Sequence, residues 1–254
     1  MKIAIWNVNS IKARLEHVKT WLTANNPDVL MVQELKGLEF PANDFKAIGY
    51  ETSAVPQKAY NGVAIFARQP IKVVTQRLPG DEADEQARYL EADIGPYRFI
   101  NIYAPNGNPV DSDKFPYKLG WLNRLYQRLE TLRQDNVPVI IGGDFNIIPE
   151  NEDCYDPVAW ASDALFRTES RRLYRSFLNL GYTDAFRTLT KGGQHYTFWD
   201  YQAGAWQRNN GIRIDHFLLS PPVADKLTSC TIDKAPRGLD QPSDHTPVVL
   251  ELKA

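Results

Sequence analysis

Residues 139–146 read VIIGGDFN, and how this octet is read decides the fold. Val139, Ile140 and Ile141 form a continuous apolar run, the pattern of a strand covered on both faces. Gly142 and Gly143 follow, leaving room for close approach of neighbouring backbone or of a phosphate. The run then ends in Asp144 and Asn146. A buried strand that stops at a carboxylate and a carboxamide predicts a floor of oxygen ligands at its end.

The same grammar recurs outward along the chain. Strand candidates are KIAIWNV (2–8), DVLMVQE (28–34), GVAIFAR (62–68), IKVVTQRL (71–78), RYLEADI (88–94), YRFINIYA (97–104), VPVIIGG (137–143), YTFWDY (196–201), IRIDHFLLS (212–220) and TPVVLEL (246–252). Helical periodicity is clearest at Leu119, Leu122, Leu125, Leu129 and Leu132, spaced by three and four. Further helices are expected over about 11–24, stopping before Pro27, and over about 169–180, stopping at Gly181. Strands in such excess over helices do not suit a doubly wound sheet. The runs between 62 and 104 read as antiparallel meanders. The expectation is a single mixed α/β domain over 1–254, with two sheets packed face to face and helices on the outer faces.

Composition narrows the class. The 254 residues are 43% hydrophobic and 24% charged, ordinary for a globular enzyme, so disordered and fibrous classes drop out. With a net charge of −2 and a pI near 6.1, a nucleic-acid partner would have to meet a local basic patch. Two distant cysteines, Cys154 and Cys230, exclude a disulfide framework and a zinc knuckle. The first apolar run breaks at Asn7, too early for a signal-peptide core, and no 18-residue apolar span follows. A cytoplasmic protein without membrane or obligate protein partner is expected.

Six strand ends carry matching chemistry. They deliver Asn7 with Asn9, Glu34, Tyr103 with Asn106, Asp144 with Asn146, Asp215, and Asp244 with His245. One such residue is usually turn chemistry, because Asn and Asp cap turns and tolerate left-handed backbone. Six together on one edge of a sandwich make a cleft of oxygen ligands with one imidazole. Such ligands suit Mg²⁺ or Mn²⁺, and without clustered Cys and His they do not suit zinc. A histidine beside a carboxylate supplies a base of fixed tautomer. The set predicts metal-assisted attack of water on a phosphate ester.

The ordered motifs WNVNS, VQELK, IYAPNG, GGDFN, RIDHFLLS and PSDHTP resemble the exonuclease III family of DNA-repair nucleases, from Met1 to about Leu252. That family shares the endonuclease/exonuclease/phosphatase fold with pancreatic deoxyribonuclease. The resemblance implies a four-layer α/β sandwich. It also implies a Mg²⁺-dependent nuclease for double-stranded DNA with abasic sites, nicks or blocked 3′ ends. By position, Glu34 resembles the main metal ligand, assisted by Asn7. Asp144 resembles the group that deprotonates the attacking water or protonates the leaving oxygen. Asn146 resembles the donor to water and phosphate. His245, oriented by Asp215, resembles a phosphate-binding group or base, Asp244 a second-metal ligand, and Tyr103 with Asn106 the groups beside the scissile phosphate.

Substrate selection is expected from the aromatic hairpin before Asp215. The resemblance implies that Phe198, Trp199 and Ile212 wall a pocket for an extrahelical abasic sugar; the other reading is a hairpin of core aromatics, and Trp206 is as readily a core residue. Arg208 and Lys36 are expected to meet phosphate. Two basic sets, Lys114, Lys118, Arg124, Arg128 and Arg133, and Arg167, Arg171, Arg172 and Arg175, could follow the DNA backbone or simply be solvated helix faces. Two departures from the family pattern stand out: Ile212 replaces a common Trp, and SDALFRTESRR (162–172) carries the bulky Phe166 and Arg167. The resemblance implies 3′→5′ exonuclease, 3′-end-cleaning and AP endonuclease activities, and a bulky Phe166 beside the pocket weighs against the last more than against the first two. The rival readings are another phosphoesterase of this fold, acting on RNA, an inositol phosphate or a phospholipid, and a catalytically silent binding module.

Overall fold

The structure, a computed structural model, describes residues 1–253. In chain order its elements are β1 (Lys2–Asn7), α1 (Leu15–Asn25), β2 (Val29–Gln33), α2 (Ala42–Ala47), β3 (Glu51–Val55), β4 (Val63–Ala67), β5 (Lys72–Thr75), β6 (Tyr89–Ile94) and β7 (Tyr97–Tyr103). There follow α3 (Lys114–Gln134), β8 (Val139–Asp144), α4 (Thr168–Asn179), β9 (Thr183–Asp184), α5 (Ala185–Leu189), β10 (Asp215–Leu219), α6 (Pro221–Ala224), β11 (Leu227–Ile232) and β12 (Val248–Leu252).

Among the described residues the strands form two six-stranded sheets, ordered β11-β12-β1-β2-β4-β3 and β5-β6-β7-β8-β10-β9. The two orders are the same pattern. In each sheet a central parallel pair, β1–β2 or β7–β8, is flanked by antiparallel neighbours. No sequence repeat announces this duplication. The expected meander is only partly present: β5, β6 and β7 form one, but β4 pairs with β2 and β3 in the other sheet.

Ile5, Met31, Ile65, Leu90, Phe99, Ile140 and Phe217 fill the space between the sheets. Trp121, Leu122, Leu125 and Leu129 of α3 and Tyr174 and Phe177 of α4 cover the second sheet, and Val18, Trp21 and Leu22 of α1 cover the first. The order of layers is therefore α/β/β/α, as expected. The helix expected over 11–24 starts only at Leu15, because Asn9 and Ser10 adopt positive φ and hold residues 11–14 in turns. YTFWDY is not a strand; Phe198 makes only isolated bridges to Ile212 and His245. No helix among the described residues is long and apolar enough to cross a membrane.

The two glycines of VIIGGDFN are explained by this packing. A Cβ on Gly142 would lie 2.7 Å from Ile5 Cγ2 and from Met31 Cε of the facing sheet. A Cβ on Gly143, at φ +142°, would lie 2.0 Å from the carbonyl oxygen of Ile102 on β7. Neighbouring protein, backbone and side chain, demands both glycines.

Three of the basic residues of α3 face inward: Lys118 is fully buried, Arg124 pairs with Asp84, and Arg128 pairs with the buried Glu91 at 2.6 Å, whereas Lys114 at the start of the helix is exposed. In α4, Arg171 and Arg175 pair with Glu150.

Candidate active site

Strand register assembles the site. Parallel pairing of β1 with β2 sets Asn7 opposite Gln33, so Glu34 emerges beside Asn7. Parallel pairing of β7 with β8 sets Tyr103 opposite Asp144, and antiparallel pairing of β8 with β10 sets Asp215 opposite Asp144 from the other side. The chain then turns sharply: Glu34 (φ +59°), Lys36 (φ +53°) and Asn146 (φ +49°) sit in left-handed conformations. Non-glycine residues held in this region gather where the surroundings over-determine them, often at functional sites.

Asn7 is a hub. Its Nδ2 donates to Glu34 Oε1 at 2.7 Å and to Asp144 Oδ2 at 3.0 Å, and its Oδ1 accepts from the Asn9 amide at 3.0 Å. Asp144 Oδ1 accepts from the Asn146 amide at 2.8 Å. Across the cleft, His245 Nδ1 lies 2.8 Å from Asp215 Oδ2, and its Nε2 lies 3.7 Å from Asp144 Oδ2. Thr197 Oγ1 donates to Asp215 Oδ2 at 2.6 Å, and the Ser243 hydroxyl bridges from the Asn7 carbonyl to the His245 amide.

Electrostatics follow from this crowding. Burial raises the Asp144 carboxyl, the His245 imidazole pulls it back, and the charges of Asp215 and Glu34 push it up again, to about 7. Burial alone would lower His245, but the Asp215 and Asp144 carboxylates raise it to about 10. Histidine is therefore an imidazolium at neutral pH, donating from Nδ1 to Asp215. Burial also acts to raise Glu34, but the Lys36 ammonium, 2.6 Å away, and Asn7 hold it below the ordinary carboxylate range. Burial and the neighbouring Glu34 and Asp144 charges hold the Tyr103 phenol well above its usual range, so it stays a donor.

Glu34, Asp144 and His245 offer ligand atoms within 4.8 Å of one another. Two carboxylates, one with a proton affinity raised by crowding, form a set that a hard dication would relieve. Asp215 Oδ1 is buried and has no hydrogen-bond partner among the described residues. Of the expected metal ligands, Glu34 and Asp144 fit best. Asn7 presents its amide nitrogen to the carboxylates and so orients them. His245 fits a cationic donor better than a ligand. Asn146 is tied by Nδ2 to the Ala104 carbonyl at 2.9 Å and by Oδ1 to the Asn106 amide at 3.3 Å. Asp244 lines the same cleft outside that three-residue group, accepting from Asn9 Nδ2 at 3.2 Å.

These groups line a cleft of about 290 Å³ with Lys36, Asn106, Asn108, Trp160, Asp163, Leu165, Phe198 and Ile214. Phe198 is at the wall as expected, its ring edge-on to His245 at 5.0 Å. Three expected contacts are not at the cleft. Trp199 is fully buried against Tyr196 and Trp206. Ile212 is buried among Cys154, Leu165 and Phe166, because the bridged hairpin turns it away. Arg208 is exposed at the hairpin tip. Phe166 is also displaced: it is buried beneath the Arg171 guanidinium, 4.5 Å from the ring centre, and Leu165 and Trp160 take the wall instead. Neither Leu165 nor Trp160 was expected there, since a loop has no periodicity from which facing could be read. Thr197 and Ser243, which brace Asp215 and His245, were legible only as neighbours of the motifs.

Comparison with known proteins places this geometry. The sequence pattern of the endonuclease/exonuclease/phosphatase family matches residues 4–245. The exodeoxyribonuclease III of Haemophilus influenzae is 31% identical over the full length of both chains. Among solved structures, a 3′ phosphatase from Neisseria bound to a product DNA hairpin is 38% identical with a TM-score of 0.97, both chains covered fully. An AP endonuclease from Archaeoglobus fulgidus is 38% identical with a TM-score of 0.95, again over both full chains.

Proposed function

This chain belongs to the exonuclease III branch of the endonuclease/exonuclease/phosphatase family, and from that premise we propose that it is a Mg²⁺-dependent DNA-repair phosphodiesterase acting on duplex DNA at blocked 3′ ends, nicks and abasic sites. The observation that carries this reading is the convergence of Glu34, Asp144 and the Asp215-held imidazolium of His245 at one cleft mouth.

Glu34 and Asp144 would hold the cation, which supplies charge neutralisation at the phosphate. The chain's own residues do the rest. Asp144, which reaches the cleft beside Glu34, takes the proton of the attacking water. The new bond forms from that water oxygen to phosphorus, the bond to the leaving oxygen breaks, and a proton returns to that oxygen. The His245 imidazolium, Lys36 and the neutral Tyr103 phenol face the charge that accumulates on the phosphoryl oxygens. Asp215 fixes the ring and remains a carboxylate.

Flanking phosphates have a natural path. A polar groove adjoining the cleft carries Arg88 and Lys114 beside Tyr103 and Asn106, the local basic patch that an acidic protein needs to bind DNA. Trp160 and Leu165 narrow the cleft, which favours removal of 3′ groups over cleavage at an internal abasic nucleotide. The buried thiols Cys154 and Cys230 suit a cytoplasmic setting.

Three duplexes test the reading: a nick with a 3′-phosphate, an undamaged recessed end and an internal abasic analogue, each with Mg²⁺ and with EDTA. Cleavage of the first two with Mg²⁺ alone is expected, and Trp160→Ala should gain on the third relative to the first. Activity that survives EDTA, or hydrolysis of small phosphate esters with every duplex untouched, would overturn it.

A further inference from the structure

Lys118 is an amine where none is expected. It lies on the inner face of α3 and is fully buried, and burial lowers its ammonium to about 7 although the charges of Asp144 and Asp163 act to raise it. Its amino group donates to two backbone carbonyls, those of Asn106, at 3.0 Å, and Asn146. Burying an amino group is costly, and an apolar side chain of the same length would pack there more cheaply if filling space were the only need. What the amino group adds is a link between two loops that leave adjacent parallel strands, β7 and β8.

The surroundings are shaped to this link. Gly107 (φ +90°) passes so close that a Cβ would lie 2.7 Å from Lys118 Cδ and 3.1 Å from Ala164 Cβ. Above it, Asn108 Nδ2 donates to both oxygens of Asp163 at 3.1 Å, fastening the loop that carries Leu165. Asn146 itself is in a left-handed conformation, and its side chain bonds back to the first loop at Ala104 and Asn106. The two loops thus meet at side-chain level above and at the Lys118 amino group below.

We propose that Lys118 is a positioning residue for hydrolysis: its buried amino group, donating to the Asn106 and Asn146 carbonyls, ties the loops after β7 and β8 into one floor and so fixes Asn146 and Asn106 at the phosphate. The role rests on the reading above, in which Asn146 faces water and phosphate. Without the tie, Asn146 would still be present, but a small misplacement of such a group lowers turnover far more than it lowers binding.

The test compares wild type with Lys118→Met, which keeps length but removes the donors, and with the milder Lys118→Gln, which keeps donors. Rates on the 3′-phosphate nick with Mg²⁺ are measured well below each variant's melting temperature. Lys118→Met is expected to lose at least about 10-fold in kcat with KM within about threefold, and Lys118→Gln to recover part of the loss. Because Lys118 acts through Asn146, Asn146→Ala should cost much less in the Lys118→Met background than in wild type. Amide exchange should rise in 104–108 and 144–148 and not across the sheets.

Wild-type kcat in folded Lys118→Met, fully multiplicative effects with Asn146→Ala, or failure of both variants to fold would each overturn the positioning role. Wild type that cleaves no duplex would instead overturn the proposed function, and the exchange measurement would still decide whether the loops are tied.

Discussion

Asp144 is expensive to keep as a carboxylate, and that expense is what makes it useful. A carboxyl drawn to about 7 by burial and like charge is poised to exchange a proton at neutral pH, whereas an exposed aspartate is not. Asp144→Asn keeps the shape and one of the two accepted hydrogen bonds but removes the proposed base. Turnover should fall by at least about 100-fold with DNA binding in EDTA retained; lost binding or misfolding would assign Asp144 a structural role. His216, one residue beyond Asp215, shows the opposite balance. Burial and the Arg213 guanidinium 3.0 Å away lower it to about 4, so it is neutral in the fold. Its unfolded value is about 6.5, so between these values the unfolded chain binds more protons and stability falls as pH falls. Moving from pH 7 to 4.5 should cost about 2–3 kcal/mol through this residue. Urea midpoints at both pH values should show a shallower loss in His216→Gln than in wild type.

At the scale of elements, β8 was the most legible strand and β11 the least. An apolar run with glycines and a terminal Asp has few alternative readings, and its neighbours explain every position. LTSCTI is a half-polar edge strand, β3 is another outer strand, and β9 has only two residues; none has a hydrophobic pattern strong enough to be read locally. The helical spacing of α3 was plain, but which of its cations point inward was not, because the partners Glu91 and Asp84 lie on distant segments. Gly143→Ala tests the reading of β8. A Cβ facing the Ile102 carbonyl at 2.0 Å, on backbone hostile to L side chains, should destabilise the protein by at least about 3 kcal/mol. Thermal unfolding checks it, and an unchanged melting temperature would mean β8 sits elsewhere.

For the molecule as a whole, the duplicated sheet order brings two parallel strand pairs to one edge. Each pair ends in polar residues, Asn7 and Glu34 from the first and Tyr103 and Asp144 from the second. The crowding this creates links the cation to global stability. A ligand that binds only the folded state at 100 times its Kd stabilises by about 2.7 kcal/mol. Mg²⁺ at that level should therefore raise the melting temperature by about 5–10 °C over EDTA, with the gain lost in Glu34→Gln. A melting temperature indifferent to Mg²⁺ would place the cation outside Glu34 and Asp144.

By itself the sequence determined the layered class and the polar strand ends that gather at the cleft, because strand patterning and ligand type are local properties. Asn7, Glu34, Tyr103, Asp144, Asn146, Asp215 and His245 were all legible in this way. Only the tertiary structure decided which side chains form the wall. Trp199, Ile212 and Phe166 look like pocket residues in one dimension but are drawn into the core, while Trp160 and Leu165 come from an aperiodic loop. It alone also showed Lys118 beneath the floor of VIIGGDFN. Facing in a loop and the partner of a buried charge are fixed by segments far apart in the chain, and no local pattern encodes them.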